Sequence, residues 1–314
     1  MNTSTQNKPR VLGIVGATAS AKTALSLSLA QALNCEIVCM DSMQIYRRMD
    51  IGTAKPTADE RALIPHYMLD IVEPTEPFSV AQYVEQARTV IADIVHRGRV
   101  PMLVGGTGLY LQGLTLPMDY GGLPSDPVIR KRLTEQAERE GAASIHARLA
   151  AVDPPAAARL HPNDQRRVIR ALEIYELTGI PMSQHRTPTQ ADAPYDFSLY
   201  AVDWPRAELH VRINQRVDQM LANGLMQEVQ ALLDSGVAED AQSMQGLGYK
   251  ELLPCLHGDI SLAQAAEAIK VGTRNYARRQ LIWFRRDARI RWIPSTELSH
   301  AKERIIQDWE EHIR

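Results

Sequence analysis

Lys22 and Thr23 end the stretch GATASAKT, residues 16–23, which directly follows the apolar run VLGIV. Backbone N–H groups that converge at a helix N-terminus bind phosphate oxygens, a lysine adds a point charge, and a neighbouring hydroxyl can ligate Mg²⁺. In that arrangement Gly16, Ala17, Thr18, Ala19, Ser20, Ala21, Lys22 and Thr23 form a phosphate cradle, with Thr23 as the metal ligand. Position 21 departs from the pattern, carrying alanine where the motif has its last glycine. An L-residue held in left-handed angles costs about 1–2 kcal/mol. If Ala21 takes right-handed angles instead, only some clearance is lost. The loop alone leaves three readings open: a nucleotide-hydrolysing loop, a decayed one, or a holder of some other diphosphate.

Other residues add chemistry. Asp41 closes a second apolar run and is followed by Ser42, Met43 and Gln44. A carboxylate in that place can take a proton as a general base or help to hold Mg²⁺. GGTGLY, residues 105–110, gives Thr107 flexible backbone, so that its hydroxyl can touch a diphosphate or a nucleoside; a plain turn is the alternative. Arg212 and Arg216 are spaced i, i+4 beside Leu209, Ile213, Val217 and Leu221, so both can face one anionic site. Arg166, Arg167 and Arg170 follow HPND, and QGLGYK, residues 245–250, sets two glycines beside Tyr249 and Lys250. Solvated helix faces produce such basic groups as well. A GTPase needs a guanine-reading NKxD segment, whereas the only Asn-Lys pair is Asn7-Lys8 near the N-terminus. A small-molecule kinase stays open.

The elements that must position these groups alternate. Residues 10–15 form a buried strand by composition, and Leu25, Leu29 and Leu33 mark the helix after the loop. EIVCM is a second strand, running from Glu36 to Met40 and ending in Asp41. VPMLV is a third, ending at Gly105. Between them Val80, Tyr83, Val84, Ala87, Ile91 and Ile94 make one helix face. This predicts an α/β fold, a P-loop-type parallel sheet flanked by helices, with ligands gathering beyond the carboxyl ends of the strands. From Met118 the pattern turns helical: SDP supplies a cap and a first-turn proline before Ile129, Leu133 and Ala137, and Asn163 or Asp164 can cap a helix through Val168, Leu172 and Tyr175 that Gly179 stops. Strand character returns at SLYAVDW, Ser198 to Trp204, and ARIRWIP is a last strand. The expected organisation is a core over residues 1–117, a mainly helical insertion over 118–198 and a second core part over 199–314.

Bulk properties narrow the class. With 314 residues and a formal charge of −2, the chain can bury a large core, and no apolar run approaches the ~20 residues of a membrane span. The polar N-terminus lacks an export pattern, so a cytoplasmic location is expected; a monomer is the expected state. Cys35, Cys39 and Cys255 fit neither a disulfide framework nor a zinc site and are expected to be buried thiols. Between Lys270 and Arg291, eight basic residues face one acid, Asp287, which is a basic stripe able to attract phosphates. Trp283 and Phe284 in LIWF are expected in the core.

GATASAKT, DSMQIY, MDIGTAKP, PHYMLDI, GGTGLY and HPNDQRRVIRALE occur in the order found in bacterial tRNA dimethylallyltransferases, and the chain resembles that family along nearly its whole length. The resemblance implies transfer of a dimethylallyl group from dimethylallyl diphosphate to the exocyclic amine of the adenosine immediately 3′ of the anticodon, with Mg²⁺ as cofactor. It implies that the opening loop holds the prenyl diphosphate rather than ATP, and that Asp41 accepts the amine proton. Thr107 would lie at the reaction channel, and Arg216, more than Arg212, would meet the departing diphosphate. Contact with the tRNA anticodon stem-loop is implied for Asp41, Ser42, Met43, Gln44, Thr107, Arg130, Arg166, Arg167, Val168, Ile169 and Arg170, and for Gln245, Gly246, Leu247, Gly248, Tyr249 and Lys250. Typical members carry proline at position 17 and glycine at position 21. An isoprenoid synthase would bind diphosphate through aspartate-rich motifs, and no Asp-Asp pair occurs here. A nucleotide kinase and a tRNA-binding protein with an inactive loop remain as rivals.

Overall fold

Alternating side chains place β1 (Arg10–Val15) inside a sheet covered on both faces: Val11 and Val15 join the core on one side, Leu12 and Ile14 on the other. The computed structural model describes residues 8–116, 126–185 and 193–311. β1 leads into α1 (Lys22–Leu33), then β2 (Cys35–Cys39), α2 (Ala58–Leu63), β3 (His66–Tyr67), α3 (Val80–His96), β4 (Val100–Gly105) and α4 (Gly108–Thr115). After α5 (Pro127–Glu140), α6 (Ala142–Val152), α7 (Pro154–Arg159) and α8 (Gln165–Thr178) come β5 (Asp196–Asp203), α9 (Arg206–Ala222), α10 (Leu225–Asp234), α11 (Leu253–Leu256), α12 (Leu262–Phe284), β6 (Ile290–Pro294) and α13 (Ala301–Glu311). The six strands are all parallel, in the order β3-β2-β4-β1-β5-β6. The sheet and its helices are those of a P-loop-type α/β fold. β2 begins one residue earlier than the apolar run suggested and β5 two residues earlier, at Asp196, because Arg10 and Asp196 are register partners.

The strand order decides where chemistry can gather. β4 lies between β2 and β1, so the loops after Cys39, Gly105 and Val15 emerge side by side at one edge of the sheet. Met40 N–H donates to the Val104 carbonyl at 2.8 Å, and Thr107 N–H to the Met40 carbonyl at 3.2 Å, which binds the ends of β2 and β4 together. Capping boxes start α2 (Thr57, Glu60), α3 (Ser79, Gln82) and α12 (Ser261, Gln264), but α1 starts at Ala21 with no side-chain cap. No side chain therefore takes the first N–H groups of this helix.

The chain divides into two compact units, residues 1–115 with 193–314, and residues 116–192. Inside the second unit Leu133, Ile145, Leu149, Val168 and Leu172 form the core of four helices. Asp126 caps α5 by accepting the N–H groups of Val128 and Ile129, and Pro127 takes the first helical position. Ser125 of that expected cap, and the expected boundary at Met118, lie outside the described residues. Asp164 sits at the start of α8 without a side-chain cap, and Gly179, with φ of 71°, ends it. Among the described residues no helix is long and apolar enough to cross a membrane. Cys35 and Cys39 are buried, whereas Cys255 is half-exposed, which corrects the expectation for that thiol.

A Cβ on Gly105 would stand 2.0 Å from the Met40 carbonyl oxygen, a backbone atom that cannot turn aside. Overpacking usually costs about 1–3 kcal/mol, and a backbone obstacle puts Gly105→Ala at or above the upper end. The urea midpoint of Gly105→Ala is therefore expected to fall by at least that equivalent, and an unchanged midpoint would contradict the close approach of β2 and β4.

Candidate active site

The phosphate loop is suspended by its carbonyls. Arg212 Nε donates to Ala19 O at 2.8 Å, Trp204 Nε1 to Ser20 O at 3.2 Å, and Lys22 Nζ to Ala17 O. The methyl groups of Ala17 and Ala19 are buried against Leu209, Ile213 and Ala277, anchoring the loop on α9 and α12. No protein acceptor takes the amides of Ser20, Ala21 or Lys22 among the described residues. Ser20 Oγ is buried without a hydrogen-bond partner. An orphaned hydroxyl and three unclaimed amides are what a polyanion would satisfy. Gly16 has φ of 129°, and Ala19 and Ala21 are held at 60° and 68°. Ala21 therefore does not escape into right-handed angles, and the loop carries left-handed strain at two alanines.

A cavity of about 340 Å³ opens beside this loop. Lys22, Thr23, Asp41 and Arg216 line it together, although they come from α1, the β2 end and α9. Burial pulls the Lys22 ammonium down to about 8; Arg216 lowers it further and Asp41 works the other way. Burial likewise lowers Arg216, and Asp41 again opposes. Two cations thus share a desolvated space with one carboxylate. Ile213, Val217, Met220, Leu247 and Ile269 line the same cavity and supply an apolar wall. The Asp41 carboxylate is aimed by a tight turn, accepting from Met43 N at 2.9 Å and Gln44 N at 3.4 Å.

The donor set fits a diphosphate with its magnesium. Mg²⁺ takes oxygen ligands and keeps few protein contacts when it is bound through phosphates. Thr23 and Asp41 present oxygens to the cavity, and no group of three or more His, Cys, Asp or Glu forms a metal cage among the described residues.

The structure redistributes several expected roles. Arg212 stacks 4.2 Å from the Trp204 ring while holding Ala19 O, so it braces the loop instead of facing the anion as expected. Thr107 Oγ1 accepts the Ser42 N–H at 3.0 Å and thereby positions the Asp41 turn. GGTGLY is not flexible: a Cβ on Gly106 would lie 2.2 Å from Gln280 Nε2 and one on Gly108 2.2 Å from the Trp283 ring, so these glycines serve close packing. Trp283 is accordingly half-buried over that loop, and only Phe284 lies fully in the core. Gln44 lines the cavity, but its amide nitrogen is bound to Thr53 O and Ala54 O and its oxygen to Cys39 Sγ, which corrects the expectation that this side chain contacts the tRNA.

Around QGLGYK, Gln245 and Lys250 are exposed and line the cavity with Gly246 and Leu247. Gly248 has φ of 98°. Tyr249 is buried with its hydroxyl on Glu228 at 2.6 Å, which rules out stacking on a base. In the second unit Val168 and Ile169 are core residues, correcting the expectation of tRNA contact through their side chains. Arg130 and Arg170 both grip the fully buried Glu173 and so stabilise the helices, while Arg166 and Arg167 are exposed on α8. The stripe after Lys270 is largely matched: Lys270 pairs with Asp218, Arg274 with Glu267, Arg285 with Asp203, Arg289 with Asp287 and Arg291 with Asp308. Gln280, Tyr276 and Arg279 of α12, together with His66, line the cavity and were not singled out by sequence. The one available signal was the spacing of Tyr276, Gln280 and Trp283 at i, i+4, i+7.

Comparison with known proteins follows the same lines. The IPP transferase family profile matches residues 44–287, and the isopentenyl transferase profile residues 9–70. A tRNA dimethylallyltransferase 1 of Trichlorobacter lovleyi is 50% identical over 294 residues, covering 93% of this chain and 96% of that protein. The tRNA dimethylallyltransferase of Bacillus subtilis is 47% identical over 302 residues, covering 95% and 96%. Among solved structures, the tRNA isopentenylpyrophosphate transferase of Bacillus halodurans superposes with a TM-score of 0.72 at 41% identity, covering 97% of this chain and 98% of that one. A eukaryotic dimethylallyltransferase acting on tRNA superposes with a TM-score of 0.84 at 30% identity, covering 97% and 79%.

Two measurements test this geometry. Ala21→Gly removes about 1–2 kcal/mol of left-handed strain but adds about 0.4–1 kcal/mol of unfolded-chain freedom, so a net stabilisation of up to about 1.6 kcal/mol is expected in urea titrations. A clear loss would show that Ala21 is unstrained. For Lys22, between pH about 8 and the ordinary lysine range the unfolded chain binds more protons than the ligand-free fold. Stability of the free protein should rise with pH through that window, while the affinity for inorganic diphosphate relative to Lys22→Met should decline toward parity. An affinity advantage that persists unchanged at pH 9.5 would refute the depressed lysine.

Proposed function

The chain belongs to the IPP transferase family of tRNA dimethylallyltransferases, and from that premise we propose how its cavity transfers a dimethylallyl group to a tRNA adenosine. The observation that carries the proposal is the sharing of one cavity by Asp41, Lys22 and Arg216. The prenyl diphosphate lies with its phosphates against the loop amides, Ser20 and Lys22, and its hydrocarbon against the apolar wall. The adenosine 3′-adjacent to the anticodon enters from the side of Asp41. Its exocyclic N6 attacks the allylic carbon, the carbon–oxygen bond to diphosphate breaks, the electron pair leaves with the diphosphate, and the N6 proton passes to Asp41. Lys22 and Arg216 stabilise the charge that grows on the leaving group in a space from which water is largely excluded. Magnesium held by Thr23 and the phosphates would supply further charge neutralisation.

Recognition of the tRNA is assigned separately to the two units. Ser42, Met43, Gln245, Gly246 and Lys250 line the cavity, and they would meet a splayed-out nucleotide and its neighbours. On α8 the exposed Arg166 and Arg167 suit phosphate contacts, whose strength falls as salt rises.

Incubation with unmodified tRNA, dimethylallyl diphosphate and Mg²⁺ should add one prenyl mass to adenosine. ATP-dependent phosphate transfer without tRNA would point to the kinase rival, and tRNA binding without turnover to the inactive one. Asp41→Asn is expected to lower turnover by about 10²–10⁴-fold, the usual span for a general base, with tRNA affinity within about threefold. Equal losses in rate and affinity would remove Asp41 from the proton transfer.

A further inference from the structure

The parallel ladder between β1 and β4 ends at the register pair Val15 and Gly105. Beyond it the phosphate loop and the Gly106–Thr107–Gly108 segment continue without a main-chain bond to each other. Gln280 fills that step. Its Oε1 accepts the Thr18 N–H at 2.9 Å, and its Nε2 donates to the Gly106 carbonyl at 2.9 Å. The side chain is 6% exposed, and its amide orientation is unambiguous, because one partner is a donor and the other an acceptor. A side-chain carboxamide here stands in for a peptide group and extends the ladder past the sheet. On the same face of α12, Tyr276 interacts with Thr107 and with Gln280, and Trp283 covers Gly108.

We propose that Gln280 is a positioning residue for the transfer reaction: it sets the spacing between the loop that holds the leaving diphosphate and the loop that, through Thr107 and Ser42, aims Asp41. The inference rests on the reaction assigned above. In-line displacement requires the amine, the allylic carbon and the departing oxygen to be aligned, and a misplacement of about 1 Å can cost 10²-fold in rate. Neither hydrogen bond of Gln280 goes to an amide of residues 20–22, so the cradle itself keeps its donors when Gln280 is altered. Only a carboxamide satisfies both loops: glutamate can accept from Thr18 but meets the Gly106 carbonyl as a second acceptor, and methionine fills the same volume with neither bond.

The test uses Gln280→Met and Gln280→Glu in the full chain, with kcat, KM for each substrate, the Kd for inorganic diphosphate and the thermal midpoint measured beside the unaltered protein. Gln280→Met is expected to lower kcat by about 10–100-fold while the diphosphate Kd and the tRNA KM stay within about threefold and the midpoint within a few degrees. Gln280→Glu should lose rate as well, since it keeps only the Thr18 contact; this second variant keeps the question answerable if the methionine variant does not fold. A kcat within twofold of the unaltered protein in either folded variant overturns the proposal. So does a joint fall of kcat, both affinities and the midpoint, which is the mark of a packing role. Absence of prenyl transfer by the unaltered protein would instead overturn the assigned reaction, a result visible before any variant is compared.

Discussion

Lys22 and Arg216 face a single carboxylate in a desolvated cavity, and the rest of the active-site architecture exists to hold that imbalance of charge in place. Burying two cations is unfavourable until an anion arrives, and burial accordingly lowers the proton affinity of both. Asp41 offsets part of the cost but cannot neutralise both. In the proposed reaction a prenyl diphosphate would complete the balance and gain further charge as its ester bond breaks, so the interaction would be strongest where the barrier lies. The same carboxylate that faces both cations is the group to which the proposed reaction assigns the amine proton.

Holding such a site demands rigid loops. Three of them leave adjacent parallel strands, and they pack so closely that the Met40 backbone leaves Gly105, and the Gln280 carboxamide leaves Gly106, no room for a side chain. The opposite wall is held by a carboxylate that never enters the cavity. Glu228 accepts the consecutive N–H groups of Asp50, Ile51 and Gly52 and the Tyr249 hydroxyl, joining MDIGTAKP to QGLGYK. From the far end of that loop, Thr53 and Ala54 lend their carbonyls to Gln44. Lys55, with a side chain only 1% exposed, bridges Asp50 and Asp70 behind them. Groups that look chemical in sequence thus divide into a few that face the cavity and many that keep the others still.

Strand and helix placement was legible because it is a local property. The alternation in VLGIV, the stripe of Tyr83, Val84, Ala87, Ile91 and Ile94, and the cap at Asp126 follow from geometry within a few residues, and each appears in the structure. The cradle after β1 and the carboxylate after β2 were legible for the same reason, since strand ends in a parallel sheet collect ligands. Residue type misled wherever a basic or aromatic group had two possible destinations. Tyr249, Arg130 and Arg170 have the composition of RNA contacts, yet the half-buried Glu228 takes the Tyr249 hydroxyl and the fully buried Glu173 pairs with both arginines. The stripe after Lys270 reads as a patch of charge, but acids far away in the chain pair with Lys270, Arg285 and Arg291, and nearer ones with Arg274 and Arg289.

The sequence by itself determined most of the elements, though not the short strand His66–Tyr67, together with the phosphate-loop motif and the family, because periodicity, turn residues and motif order are all properties of neighbours along the chain. Only the tertiary structure decided which groups share a cavity. Gln280 and Thr18 are 262 residues apart, and nothing local to either predicts that one will accept the other's N–H. Their meeting follows from the strand order and from the face that α12 turns toward the sheet; spacing along α12 shows only that Tyr276, Gln280 and Trp283 share that face, not what they meet there.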